Sequence, residues 1–185
     1  MSTLREVAGT IVEPFSVVEA KEHLRVTHTE EDEYILTLIS ASRKYVENEL
    51  NQTMRSASYN YYLNEFPNGN IELPRPPLLS VTSVKYYDTD NVQQTLVADT
   101  DYRVDINSLP GIVEVIGSWP GTYDRTSAVD ILFTAGFSDF GNIEALVLHC
   151  MKLRLTLLYD KREGGDSKEE EVLNKLLNKL KQPSF

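Results

Sequence analysis

The side chains of this chain that most often carry chemistry are its three histidines and its single cysteine. His23 and His28 are five residues apart, which is about 140° around a helix, so their rings would not share one metal ion. His149 and Cys150 are adjacent, and neighbouring helix positions point apart, which disfavours a cysteine nucleophile with a histidine base. The sequence therefore predicts ordinary surface or core positions for these four side chains.

Aspartates are the second candidate, as calcium ligands. They occur in "DTDN" at 88–91 and at Asp99, Asp101 and Asp105. An EF-hand loop requires a glycine and a distal glutamate at set positions, and neither is present here. Turns between strands account for these residues, and no phosphate-binding loop or nucleophile elbow occurs. The sequence thus predicts no metal, no cofactor and no enzymatic activity.

Composition limits the remaining classes. The net charge of −10 argues against general nucleic-acid binding and against anionic membranes. No apolar run has the length of a signal peptide core or a membrane span. The single cysteine excludes an internal disulfide framework and fits assembly in a reducing cytoplasm.

Two helices are predicted near the N-terminus. Ser16 and Glu19 have the spacing of a capping box, which predicts a short helix from Ser16 to about Arg25. Thr29 is the predicted cap of a second helix that extends to about Asn51, with apolar residues at helical spacing. Its start carries the run "EEDE", where the helix dipole favours negative charge.

Short strands with turn residues between them follow from Arg55 to Phe140. "SYNYYLNEF", "SVTSVKYY", "DYRVDI", "GIVEVIG" and "AVDILFTAGF" alternate or are rich in β-branched and aromatic residues. Six or so short strands predict an antiparallel sandwich or small barrel. "LPRPP" at 73–77 cannot be an interior strand, because proline lacks an amide donor, and is predicted to cross between sheet edges.

Two more helices are predicted at the C-terminal end. The helix that begins near Asn142 is apolar nearly all round, so it must be covered by the second helix and the sheet or by a neighbouring subunit. After the break "EGGDS", Ser167 and Glu170 form a second predicted capping box. The last helix has one apolar stripe and can fold back on its own domain or dock on a partner.

The predicted fold class is α+β. Two longer helices and a short N-terminal helix form a helical core, with an inserted antiparallel β-sandwich or small barrel and a C-terminal amphipathic helix. The predicted divisions are a helical part of the core at 1–54, a β-rich insertion at 55–140, a core helix at 141–163, and a hinge with the last helix at 164–185.

Several segments, in order, resemble one known family. They are "PFSVVEAKEHLRV", "EEDEYILTLISASRKYVENELNQTM", "IELPRPPLLSVTSVKYYD", "DYRVD", "PGIVEV", "VDILFTAGF" and "EALVLHCMKLRLTLLYDKRE". Between about Ile11 and Glu163 the chain resembles the head–tail connectors of long-tailed bacteriophages, also called portal adaptors or head-completion proteins, in the larger form that carries a β insertion. That family has no catalytic signature.

The resemblance implies a structural protein of the virion neck, assembled in the host cytoplasm. About twelve copies would form a ring beneath the portal protein, extend the DNA channel, and join the head to the tail through a neck or tail-completion protein. Packaged DNA would pass through without sequence-specific binding, repelled by carboxylates near the channel.

The resemblance also implies which residues contact other proteins, from the positions of their segments along the chain. A ring subunit needs surplus apolar surface for its neighbours, and the apolar helix supplies it at Leu146, Met151, Leu155 and Leu158. The C-terminal segment of such proteins reaches the portal, a role that falls here on Leu173, Leu176, Leu177, Leu180 and Phe185.

Other functions stay open on the sequence alone. Another neck or tail-completion protein of similar build is one. A small β-sandwich module that binds a glycan or protein is a second, since the tyrosines of the strand region could line a binding face. An enzyme would need a pocket that gathers distant residues such as His149, Asp130 and Tyr159.

Overall fold

A computed structural model gives the fold and describes residues 2–7, 12–160 and 168–181. These residues fall into two compact units. The β unit lies within Met1–Thr10 and Ser56–Ser138, and the helical unit lies within Ile11–Arg55 and Asp139–Phe185. The predicted α+β class is confirmed.

The β unit consists of two antiparallel sheets that share one hydrophobic core. The five-stranded sheet has the order β1-β2-β8-β4-β5, with β1 (Ser2–Glu6), β2 (Ala57–Leu63), β8 (Val129–Ala135), β4 (Leu78–Tyr87) and β5 (Gln93–Thr95). The three-stranded sheet has the order β3-β7-β6, with β3 (Ile71–Glu72), β7 (Ile112–Val115) and β6 (Tyr102–Asp105).

Strand β8 shows how the sequence pattern sets this core. Val129, Ile131 and Phe133 are fully buried, while Asp130 and the other alternate residues are only partly buried. Side chains alternate between the faces of a strand, so the period of two in the sequence becomes one core face and one outer face. Burial raises the pKa of the Asp130 carboxyl on the outer face.

The proline segment 73–77 connects β3 of one sheet to β4 of the other without being a strand. Its ends are held by backbone hydrogen bonds, from the Leu73 amide to the Gly111 carbonyl and from the Gly136 amide to the Pro77 carbonyl, both at 2.8 Å. The predicted crossing between sheets is therefore present.

Strand β1 is not among the predicted strands, which all lie after residue 54. It pairs antiparallel with β2, Ser2 opposite Leu63 and Glu6 opposite Tyr59. Only Leu4 packs against the core, since β1 is an edge strand with polar neighbours. An edge strand of this kind is determined by backbone hydrogen bonds to a strand far away in the sequence, and its own sequence has almost no alternation of apolar and polar residues.

The helical unit contains α1 (Val17–Leu24), α2 (Asp32–Leu50), α3 (Ala145–Asp160) and α4 (Lys168–Leu180), with a 3-10 turn at Phe140–Asn142. The capping box of α1 forms as predicted: the Glu19 amide donates to Ser16 Oγ at 3.2 Å, and the Ser16 amide donates to Glu19 Oε2 at 2.8 Å. Helix α2 ends at Leu50, with Asn51 in a left-handed conformation after it.

The predicted cap of α2 at Thr29 is wrong. Helix α2 begins at Asp32, and its N-cap Glu31 makes no side-chain cap hydrogen bond. The Asp32 amide instead donates to the Thr29 carbonyl at 3.2 Å, so a backbone turn precedes the helix. The predicted cap of the last helix at Ser167 lies outside the described residues.

Candidate assembly surfaces

Helix α3 is the centre of the helical unit, and α1, α2 and α4 pack against it. Its buried residues Val147, Cys150, Met151, Leu155 and Leu157 cover one side. Because successive residues of a helix are 100° apart, these five positions span roughly half of its circumference. On the other side Ala145 and His149 are exposed, while Lys152, Leu153 and Thr156 are partly exposed.

The four leucine and methionine positions expected to face a neighbouring subunit separate into two pairs. Met151 and Leu155 have no exposed surface and belong to the core of the single chain. Leu146 and Leu158 are partly exposed. Of these four residues, only Leu146 and Leu158 keep surface that a further contact could bury, because a side chain already buried in its own chain has no area left to lose.

The apolar stripe of α4 also divides into buried and partly exposed residues. Leu173 and Leu177 are buried at 0% and 1% exposure, whereas Leu176 and Leu180 are partly exposed. Phe185 lies outside the described residues. Residues four apart share the inner face of a helix, so Leu173 and Leu177 attach α4 to its own unit, and a partner would meet Leu176 and Leu180.

Polar contacts reinforce the position of α4. Arg154 on α3 is 3.1 Å from the Glu170 carboxylate, and its guanidinium lies 4.1 Å from the centroid of the Tyr45 ring. The Tyr45 hydroxyl donates to Asn174 at 3.3 Å. At the far end, Lys181 Nζ lies 3.0 Å from Glu49 Oε2. The last helix is thus folded back on α2 and α3.

A buried ion-pair network on α2 was missed by the sequence analysis. Arg43, with 3% of its side chain exposed, donates from Nε to Glu13 Oε2 and from Nη1 to Glu47 Oε2, each at 2.7 Å. Glu47 Oε1 in turn accepts the Met54 amide at 2.8 Å. The network holds the segment before α1 and the loop after α2 against the same helix.

Electrostatics favours the charged form of the Arg43 guanidinium. Burial disfavours the charged guanidinium, but hydrogen bonds and charges from Glu13 and Glu47 outweigh it and raise the pKa of Arg43. The spacing of Arg43 and Glu47, four residues apart on one helix, could have indicated a pair. Nothing local indicates Glu13, which is 30 residues away.

Apolar surface is also exposed in both units. On the helical unit, Val18 is 66% exposed beside a groove of about 390 Å³ between α1 and the start of α2, where Val17 and Val26 also lie. On the β unit, exposed aliphatic side chains occur near turns, at Val92, Val97, Ile106 and Leu109. Single exposed aliphatic residues are usual on soluble proteins, so these sites alone do not identify a partner.

The candidate nucleophile and the candidate metal ligands do not form a metal cluster or an activated thiol in the described residues. Cys150 is buried, and desolvation raises the pKa of its thiol, which disfavours the nucleophilic thiolate. Among residues 2–7, 12–160 and 168–181, no three His, Cys, Asp or Glu side chains are grouped so as to hold a metal ion. Within the same ranges, no helix is both long and apolar enough to span a membrane.

Comparisons with known proteins identify a family from the sequence and a similar fold among solved structures. The family model for phage gp6-like head-tail connector proteins matches residues 15–109, just over half of the chain. No curated protein sequence matches. Solved structures match over almost the whole length, at identities that establish similarity of fold.

Three of these structures come from gene transfer agent (GTA) particles. A chain from the neck of an empty particle, computed with C6 symmetry, has a TM-score of 0.83 and 21% identity, covering 99% of this chain and 97% of that chain. A chain from the virion of the native particle has a TM-score of 0.82 and 21% identity, covering 98% and 96%. A chain from the native neck, computed with C12 symmetry, has a TM-score of 0.79 and 20% identity, covering 99% and 97%.

Proposed function

This chain belongs to the phage gp6-like head–tail connector family, and from that membership we propose that it closes into a ring beneath the portal protein in the neck of a tailed phage or related particle. The ring would extend the DNA channel and present its other side to a neck or tail-completion protein. The role is structural, and it requires no catalytic step and no cofactor.

The family match, together with a fold shared over nearly the whole chain, carries this proposal. The similar chains come from necks computed with C6 and C12 symmetry, which supports a ring of about twelve copies. A closed ring needs two different surfaces on each subunit, and a helical unit with partly exposed Leu146 and Leu158 offers apolar area for one of them. Leu176 and Leu180 on α4 are proposed to meet the portal.

The proposal also gives a role to each predicted division of the chain. We infer that the helical core, predicted at 1–54 and 141–163, builds the ring, without strand β1, which belongs to the β unit together with most of the predicted insertion at 55–140. The segment 164–185, which contains α4, is placed nearest the portal.

Native mass spectrometry over a concentration series, with and without the portal protein of the same particle, tests this function. The expected product is a closed assembly of about twelve 21.0-kDa chains, about 250 kDa, that also binds the portal protein. A chain that stays monomeric at all concentrations and does not bind the portal protein would contradict the proposal.

A further inference from the structure

A cavity of about 610 Å³ lies on the β unit, between the end of β2 and the start of β3. The residues that line it belong to the segment 61–72, so one stretch of chain builds the whole wall. Cavities of about 300–1,000 Å³ have the size that small-molecule ligands occupy in proteins. The connector role does not require this cavity, called here the β2–β3 cavity, and its lining indicates what it binds.

The wall of the β2–β3 cavity is held in place by Trp119, the single tryptophan of the chain. Its ring stacks on the ring of Phe66, a lining residue, with centroids 4.6 Å apart and 3° between the planes. Trp119 Nε1 donates to the Gly69 carbonyl at 2.6 Å. On Phe66, the Tyr86 ring packs edge-on at 5.6 Å. These contacts fix the loop between β2 and β3, so the cavity is formed before a ligand binds.

Aromatic and polar side chains share the lining of the cavity. Two aromatic residues in the wall, Tyr61 and Phe66, are partly exposed. Two amides and two carboxylates, all on exposed residues, also line it: Asn68, Asn70, Glu65 and Glu72. Side-chain amides both donate and accept hydrogen bonds, and carboxylates accept them from hydroxyl groups. The C–H groups of a sugar ring pack favourably on aromatic rings, whose faces carry partial negative charge. The lining thus matches both parts of a carbohydrate.

The backbone of β3 adds one more donor and acceptor. Strand β3 is an edge strand, and β7 is its one neighbour in the part of the chain that the structure describes. The Leu73 amide donates towards β7, to the Gly111 carbonyl at 2.8 Å. Successive residues of a strand point their backbone groups to opposite sides, so the amide and carbonyl of Glu72 face the free edge. Since Glu72 also lines the cavity, these groups are accessible to its ligand.

The same lining disfavours the other classes of ligand. None of the described residues that line the cavity is Lys, Arg or His, so a phosphate, a sulfate or an acidic sugar would meet Glu65 and Glu72 without a cation. An added strand of another protein would gain little, because β3 has only two residues and turns the backbone groups of one of them to its free edge. An uncharged ligand rich in hydroxyl groups fits best.

We propose that the β2–β3 cavity binds a neutral carbohydrate. The sugar rings pack on Tyr61 and Phe66, and the hydroxyl groups form hydrogen bonds with the two amides, the two carboxylates and the free backbone groups of Glu72. This binding function goes beyond the connector role and does not depend on ring closure. It would give the β unit a contact of its own with a glycan.

Tryptophan fluorescence of the full chain tests the site, because the one tryptophan, Trp119, stacks on a lining residue. The probes are the neutral trisaccharides maltotriose, cellotriose and triacetylchitotriose, with trigalacturonic acid as the acidic counterpart. At least one neutral sugar should change the emission to saturation, with half-saturation at about 0.1–10 mM. Trigalacturonic acid should leave the emission unchanged, because its carboxylates are repelled by Glu65 and Glu72.

Matched variants separate binding from folding. Asn70→Ala and Glu72→Ala, both at exposed residues, should each raise the half-saturation concentration about 10-fold, with an unchanged circular dichroism spectrum. Glu114→Ala removes the same charge from an exposed residue of β7 outside the cavity and should have no effect.

Three results would overturn the carbohydrate site. They are an unchanged emission with all three neutral sugars, an equal response to trigalacturonic acid, and normal sugar binding by both Asn70→Ala and Glu72→Ala. A response to the peptide Thr-Val-Thr-Val-Thr-Val and to no sugar would assign the cavity to an added strand instead. Each of these results leaves the connector function standing, since that function is measured by ring formation and portal binding.

Discussion

The two central leucines of α4 are adjacent in sequence but differ in burial. Leu177 is 1% exposed, and Leu176 is partly exposed on the same turn. Leu177→Ala should weaken the attachment of α4 to its unit by about 2–5 kcal/mol, because a buried leucine loses transfer free energy and leaves a cavity. Leu176→Ala should cost less than about 1 kcal/mol, since much of its area already contacts water.

Hydrogen exchange measures this difference directly in the amides of Leu173–Leu180. If α4 opens as a local unit, Leu177→Ala lowers the free energy of that opening by about 2 kcal/mol or more. The protection factors of these amides then fall by about 30-fold or more. Protection in Leu176→Ala should fall by less than about 5-fold. Equal effects in the two variants would refute the assignment of Leu177 to the core and Leu176 to the surface.

The same pair separates folding from portal binding. Leu176→Asp should leave α4 protected and lower the affinity for the portal protein, whereas Leu177→Asp should release the helix by placing a charge in an apolar site. Changing both leucines to aspartate at once would mix the two effects. Unchanged portal binding by Leu176→Asp would show that the portal contact lies outside this stripe.

Two further predictions concern the helical unit. Arg43→Ala should lower the free energy of unfolding by about 3–5 kcal/mol, because it removes the cation from two carboxylates whose side chains are only 11% and 10% exposed. Lys44→Ala on the exposed side of α2 should change it by less than about 0.5 kcal/mol in the same denaturant titrations. A small loss in Arg43→Ala would show that the carboxylates reach water. Ser16→Ala should cost about 1 kcal/mol at pH 7 through the loss of the helix cap. The Ser16 amide and, to a smaller extent, the Ser16 hydroxyl donate to the Glu19 carboxylate and lower its pKa. Ser16→Ala removes only the part from the hydroxyl, which is present above pH 4.5 and is lost as pH falls through the lowered pKa. Unfolding titrations between pH 7 and pH 3 should therefore show that part of the difference between Ser16→Ala and the wild type disappears at low pH; a constant difference would show that the Ser16 hydroxyl does not stabilise the ionised Glu19 carboxylate.

Features set by neighbours in the sequence could be predicted from the sequence. The capping box of Ser16 and Glu19 depends on residues three apart, and the buried face of β8 depends on a period of two. The proline crossing at 73–77 follows from the missing amide donors. The connector family itself was identified from a succession of such local segments.

Tertiary structure decided which of several equivalent side chains face the core. Periodicity placed Leu146, Met151, Leu173 and Leu176 on apolar helices, but only packing against other helices buries Met151 and Leu173 and leaves Leu146 and Leu176 partly exposed. The pairing of β1 with β2 and of Arg43 with Glu13 likewise joins residues far apart in the chain. Local patterns fix the conformation of a segment, whereas burial and pairing are properties of the partner it meets, which lies tens of residues away.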